Sequence, residues 1–245
     1  MTPDLSQLYA VTEATWPAAT QQETPVFTLR NGAGGGKRVS AATARPGWTP
    51  DDIPAAADAM RAMGQDPLFM LRAGEDALDQ ALADAGYVVI DPVHALICPI
   101  AQLTDLPIPR VTAFAIWEPL AIMREIWAAG GIGPARIGVM QRAQGPKTGL
   151  FGRTGDKPAG AGYCAIHDGI AMVHALEITQ AYRSKGLGKW MMRCAAIWAE
   201  RQGATHMAVL CTTANVGANA LYASLGLTLV GGYHYRIRKD KGTAS

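Results

Sequence analysis

Arg183-Ser184-Lys185-Gly186-Leu187-Gly188-Lys189 is the stretch that decides how this 245-residue chain folds. Upstream of it lies an apolar run ending at Ile178. Downstream, Leu187, Trp190, Met191, Cys194, Ile197 and Trp198 recur at helical spacing and predict one buried helix face. The stretch is therefore a strand-to-helix turn. The first turn of a helix leaves backbone N–H groups unpaired, and the helix dipole adds partial positive charge there. Glycines let a ligand approach that backbone closely, so the turn suits a pyrophosphate. Arg183, Lys185 and Lys189 add charge of the right sign.

The neighbouring segments fit a mixed sheet. Ala159–Ile166 and Ile170–Ile178 are apolar runs separated by His167-Asp168-Gly169, and Asp-Gly is a strong hairpin signal. After the helix, Gly203 marks a C-terminal stop and Thr205–Cys211 reads as a strand. Asn215 reads as the N-cap of a helix running to Leu225 and stopping at Gly226, before a strand at Leu227–Ile237 with a bulge at Gly231-Gly232. Earlier in the chain, residues 5–15, Asp51–Ala62, Glu75–Ala85 and Pro119–Ala129 are predicted helices. Predicted strands are Val26–Arg30, Lys37–Ala42, Leu68–Arg72, Tyr87–Ile90, Val93–Ile97, Thr112–Trp117 and Arg136–Arg142. Gln144–Pro158, rich in Gly, Lys and Pro, reads as a mobile loop, and Pro99–Pro109 as the linker between two halves. The fold class is mixed α/β.

A second motif follows the first: Asn215-Val216-Gly217-Ala218-Asn219-Ala220-Leu221-Tyr222-Ala223-Ser224-Leu225-Gly226-Leu227. Together the two segments resemble the GNAT superfamily of N-acetyltransferases. RSKGLGK matches that family's (Q/R)xxGx(G/A) loop, and NVGANALYASLGL resembles its second signature. The resemblance covers roughly residues 110–240. It implies a GNAT fold, a mixed central sheet flanked by helices, and a GNAT domain at 109–245. It also implies acetyl-CoA as co-substrate, with Leu176, Glu177 and Ile178 on a splayed strand beside the pantetheine arm. Arg183, Ser184, Lys185, Gly186, Leu187, Gly188 and Lys189 would take the pyrophosphate. Asn215 would bond the pantetheine arm, and Tyr222 would protonate the departing thiolate. For Asn215 the alternative is a helix N-cap, and for Tyr222 a core tyrosine.

Attack on a thioester needs a neutral amine and a base. Glu177 is the candidate, as the only Glu on the hairpin strand leading to the loop; the alternative is a structural salt bridge. Strand Thr205–Cys211 offers only His206, while His174 and His234 could act through water. A backbone amide of the hairpin strand could stabilise the oxyanion.

Residues 1–108 are expected to form a separate α/β domain. Asn31-Gly32-Ala33-Gly34-Gly35-Gly36-Lys37 fails the phosphate-loop pattern, since Asn31 replaces the first glycine and Arg38 follows the lysine. Ala81–Val89, where a helix stops at Gly86 before an apolar strand, weakly resembles the end of a GNAT domain. That suggests a tandem GNAT whose N-terminal copy is degenerate; an ordinary helix-to-strand turn is the alternative.

Charge follows the same division. Residues 1–110 carry a net −6 and residues 111–245 a net +8. A basic half suits a phosphorylated ligand. Its cations form no dense runs with interleaved aromatics, which argues against nucleic acid. Cys98, Cys164, Cys194 and Cys211 form no CxxC pair and fit buried thiols in a reducing compartment. No His/Cys/Asp/Glu cluster has metal-ligand spacing. Met1-Thr2-Pro3-Asp4 lacks signal-peptide character, and Tyr87–Ile100 is too short and interrupted to span a membrane, so the expected location is the cytoplasm. The acceptor is a small-molecule or peptide amine. Alternatives are transfer of a larger acyl group, or a non-catalytic acyl-CoA-binding or regulatory protein.

Overall fold

A computed structural model describes residues 2–238. In chain order its elements are α1 (Leu5–Thr15), β1 (Thr20–Glu23), β2 (Phe27–Asn31), β3 (Thr43–Ala44), α2 (Asp52–Ala62), β4 (Leu68–Arg72), α3 (Asp76–Asp84) and β5 (Val88–Pro99). There follow β6 (Ala113–Ile116), α4 (Ala121–Ala129), α5 (Pro134–Arg142), β7 (Lys147–Thr154), β8 (Lys157–His167) and β9 (Ile170–Ile178). The chain closes with α6 (Leu187–Arg201), β10 (His206–Thr212), α7 (Val216–Ser224) and β11 (Thr228–Ile237).

These elements form two compact units. The first comprises the chain up to Pro17, Ala95–Cys211 and Asn215–Val230; the second comprises Ala18–His94, Thr212–Ala214 and the described residues from Gly231 on. A boundary near residue 108 is therefore not where the units divide. Strands β5 and β11 each begin in one unit and end in the other. Apolar alternation reports which face a residue takes, not which neighbour its strand pairs with, so the sequence does not reveal this exchange.

In the first unit the strands run β11, β5, β10, β9, β8, β7, β6. The pairs β6/β7, β7/β8 and β8/β9 are antiparallel. β9 and β10 are parallel, because α6 carries the chain back across the sheet between them. The β8–β9 hairpin closes as its sequence predicts: Asp168 and Gly169 take φ of 52° and 71°, both positive. Alternation along β9 sorts the core. Ala171 and Val173 pack with Leu187, Met191, Met192 and Ala195 of α6, whereas Ile170 and Met172 pack with Leu8 and Val11 of α1. The buried side of α6 is set by its methionines and alanines. Trp190, Ile197 and Trp198 are only half-buried, so the tryptophans do not head that face.

Three expected segments come out differently. Gln144–Pro158 holds β7, paired along its length with β8. Its glycines are there for space: a Cβ on Gly152 would lie 2.5 Å from Met191 Sδ, and one on Gly160 of β8 would lie 2.6 Å from the same atom. Glycines that admit a helix this closely read, in sequence, like loop residues. Arg136–Arg142 is helical within α5, opened by Pro134 at the first helical position and burying Ile137 and Met140, three residues apart. Pro99–Pro109 is not a linker: Ile100 and Leu103 are buried in the first unit, and Asp105 pairs with Arg193.

In the second unit β2 pairs with β1 and β3. Its core stacks Phe27, Phe69 and Tyr87 edge to face, at centroid distances of 5.6 and 5.4 Å, against Ile53, Met60, Leu78 and Leu82. Lys37–Val39 is a 3-10 turn rather than a strand, since Val39 and Ser40 donate to the carbonyls of Gly36 and Lys37. The order α2-β4-α3-β5 repeats that of α6-β10-α7-β11, and α3 and α7 are each followed by a glycine with positive φ, Gly86 at 83° and Gly226 at 77°.

Asp79 on α3 ties this unit to its last strand. Its Oδ1 accepts from Arg236 Nε (2.7 Å), its Oδ2 from Arg236 Nη2 (2.9 Å), and His234 Nε2 lies 2.6 Å away. The arginine, and then His234, hold its pKa at about 2 against an ordinary 3.8, despite an opposing effect of burial. A depressed carboxylate contributes stability that is present above 3.8 and lost as pH falls toward 2. Asp79→Asn is expected to lower the melting temperature at neutral pH. Thermal scans should show that difference shrinking as pH falls through this window, and a pH-independent difference would contradict the assignment.

Candidate active site: a cavity between a splayed strand and two helix starts

The parallel ladder between β9 and β10 runs from Ile170↔His206 to Val173↔Val209 and goes no further. On its other side β9 remains paired with β8, from Gly160↔Ile178 to His167↔Ile170, with a shift of register between Ala161 and Tyr163. Two residues of β9, Ala175 and Leu176, therefore oppose the single Gly162. Ala175 takes a positive φ of 51°, and Trp127 Nε1 donates to its carbonyl at 2.8 Å. Beyond this bulge β9 parts from β10, and the backbone of Leu176–Ile178 has no ladder partner on that side.

A cavity of about 670 Å³ occupies the opening. Leu176, Glu177 and Ile178 form one wall, Arg183, Ser184 and Gly186 to Lys189 a second, and Asn215, Leu221 and Tyr222 a third. The sequence-predicted residues thus meet around one space, except Lys185. That side chain is exposed, with its ammonium 5.3 Å from the centre of the Tyr182 ring. Gly217, Ala218 and Ala220 also line the cavity and were not singled out in sequence. Their small side chains on the exposed side of α7 were the available signal.

The second wall is the start of α6. Gly186 is its N-cap in the left-handed region at φ 83°, and Ser184 takes φ 60°. No side chain caps this end, so its first-turn N–H groups are open to an anion. The repeat of this order in the second unit differs at the same point. α2 is preceded by Thr49-Pro50-Asp51, and Asp52 Oδ2 accepts from Thr49 N (2.7 Å) and Thr49 Oγ1 (2.8 Å). That helix start carries the chain's own carboxylates and no glycine loop.

The third wall holds two polar groups. Asn215 caps α7, its side chain accepting from Ala218 N at 3.1 Å. Tyr222 is buried, and its hydroxyl has no hydrogen-bond partner among the described residues. Burial, and secondarily Cys211, push the phenol well above its ordinary value, so it keeps its proton at any physiological pH. Glu177 Oε1 accepts from Arg183 Nη2 at 2.9 Å, and Arg183 Nε donates to Ile178 O at 3.0 Å. The other candidate bases lie elsewhere. His174 is buried, with Nε2 2.9 Å from Thr15 Oγ1 and Trp16 stacked on its ring. His206 faces Ile170 at the far end of the ladder, and His234 pairs with Asp79 in the second unit.

An uncapped helix start, an open strand edge and a buried phenol thus meet around one cavity. Comparison with known proteins says what this region resembles. Residues 121–227 match the model of the Acetyltransferase (GNAT) family. The chain is 25% identical over 252 residues to the Uncharacterized N-acetyltransferase YobR of Bacillus subtilis, covering 96% of this chain and 99% of that one. Among solved structures it resembles a GCN5-related N-acetyltransferase from Kribbella flavida (TM-score 0.69, 19% identity, 99% of this chain and 98% of that one). It also resembles a tandem GNAT protein from the clavulanic acid biosynthesis pathway (TM-score 0.62, 12% identity, 97% and 89% covered). Residues 121–227 carry a GNAT acetyltransferase domain, of a family that moves acyl groups from acyl-CoA to amines, and the protein is an acyltransferase. Among the described residues no helix is long and apolar enough to cross a membrane.

Asn215→Ala should destabilise the domain by about 1 kcal/mol through loss of the cap, whereas Asn215→Asp, which keeps an acceptor oxygen, should not. Urea denaturation of both variants checks this; equal loss in the two would mean that the cap contributes nothing.

Proposed function

We propose that the protein transfers an acetyl group from acetyl-CoA to an amine by direct attack in a ternary complex. The observation that carries this reading is the single cavity lined by Leu176–Ile178, by Ser184 and Gly186–Lys189 at the helix start and by Tyr222. When bound, acetyl-CoA supplies an activated acyl carbon whose C–S bond is exchanged for a C–N bond. The protein's own groups do the rest. Backbone groups of Leu176 and Ile178 hold the pantetheine arm, with Asn215 on the opposite wall. Backbone N–H groups of the α6 start, flanked by Arg183, Lys185 and Lys189, hold the pyrophosphate. Glu177 removes the proton that the amine must lose, and Tyr222 gives its proton to the departing sulfur.

Acetyl is favoured over longer acyl groups by the likeness to the N-acetyltransferases of Bacillus subtilis and Kribbella flavida. The second unit reads as a copy of the same fold without a cofactor site, supported by its repeated element order and by the carboxylates at the start of α2. Cys98, Cys164, Cys194 and Cys211 are buried and form no disulfide among the described residues, which supports a reducing compartment such as the cytoplasm.

Tyr222→Phe removes the proton donor and keeps the ring. Its kcat should fall by about 100-fold or more, with acetyl-CoA affinity unchanged. Steady-state thiol release against a panel of amines, beside equilibrium binding, measures both. Wild-type turnover in this variant would remove Tyr222 from the mechanism, and faster turnover with a longer acyl-CoA would replace acetyl as the group transferred.

A further inference from the structure

The Glu177 carboxylate is held from two sides. Arg183 takes Oε1 through an ion pair of 2.9 Å, and Oε2 has no hydrogen-bond partner among the described residues. The side chain is only 18% exposed, and what lies over it is Gly130, the residue that caps the C-terminus of α4. A Cβ built on Gly130 would stand 2.7 Å from Glu177 Cγ and Cδ and 2.9 Å from Oε2. Real Cβ atoms do not approach so closely, so any side chain at 130 displaces the carboxylate.

Gly130 does not owe its identity to backbone conformation. Its φ of −87° and ψ of 8° are open to any residue, and it is Gly131, at φ 79°, that needs the left-handed region. Nor does a tight backbone neighbour demand it, since the nearest atoms all belong to the flexible Glu177 side chain. An alanine there would cost the fold little and move the carboxylate.

The geometry points to Gly130 as the positioning residue of the reaction: it leaves the space in which the Glu177 carboxylate sits, with Oε1 fixed by Arg183 and Oε2 open to the proton of the acceptor amine. In this arrangement the amine nitrogen, directly or through one water, gives its N–H proton to Oε2 as the nitrogen bonds the acyl carbon. This rests on the reading of Glu177 as the base.

The test compares Gly130→Ala, Glu177→Gln, Glu177→Ala and the double variant Gly130→Ala/Glu177→Ala with the wild type. Gly130→Ala should melt no lower than wild type, because alanine replaces glycine in a conformation it tolerates. Its acetyl-CoA affinity should be unchanged while kcat falls about 100-fold, the cost of misplacing a catalytic group by about 1 Å. Its kcat–pH profile should lose or shift the acidic limb. Glu177→Ala removes every atom that the added methyl would meet, so Gly130→Ala should cost nothing further in the Glu177→Ala background. Wild-type turnover in Gly130→Ala, with Glu177→Gln inactive, overturns the role of Gly130 and leaves the base reading standing. Additive effects in the double variant, or equal loss of melting temperature and acetyl-CoA binding, overturn it as well. Wild-type turnover in Glu177→Gln removes the base itself, and the inference with it.

Discussion

Parallel strands β9 and β10 stop bonding at Val173 and Val209, and the site is built on that interruption. Hydrogen bonds left unmade in a sheet interior are costly, so the opening has to be held by something stronger than a fluctuation. The hold comes from the bulge at Ala175 and Leu176, from continued pairing with β8, and from Trp127 donating to the Ala175 carbonyl. The strand edge exposed in this way is a row of backbone groups seeking partners, which is what an extended amide-bearing pantetheine chain offers. The α6 start completes the cavity, because the same chain that leaves the open edge at Ile178 turns at Ser184 and Gly186 into that helix.

The two units differ at the same helix start. In the first, Gly186 in the left-handed region opens α6 with no side-chain cap and with cations around it. In the second, Asp52 binds Thr49 across the beginning of α2 and places negative charge where a phosphate would lie. Both helices lead into the same order of strand, helix and strand. The difference in chemistry is carried by a few residues at one turn, as expected when function belongs to a site rather than to a fold.

The sequence made the C-terminal elements legible because their signals are local. Asp168-Gly169 specifies its own turn, Asn215 its own cap, and Gly186 the left-handed start of a helix. It misled where a residue answers to something distant. Gly152 and Gly160 look like loop residues until Met191 is seen against them, and Arg136–Arg142 alternates enough to pass for a strand until Pro134 is seen opening a helix. Gly130 carries no motif at all, since its meaning lies in a carboxylate 47 positions later in the chain. The exchange of β5 and β11 between units is illegible for a related reason: pairing partners leave no trace in the periodicity of a single strand.

The central claim is that the opening beside β9 and the start of α6 together bind acetyl-CoA. Isothermal titration of the whole protein with acetyl-CoA, beside a Gly186→Glu variant, tests it most directly. That substitution puts a side chain on a residue at φ 83° and a negative charge at the helix start. The account predicts saturable binding of one molecule per chain by the wild type, abolished in the variant. A folded wild type that binds no acetyl-CoA, or a variant that binds it equally well, would contradict it.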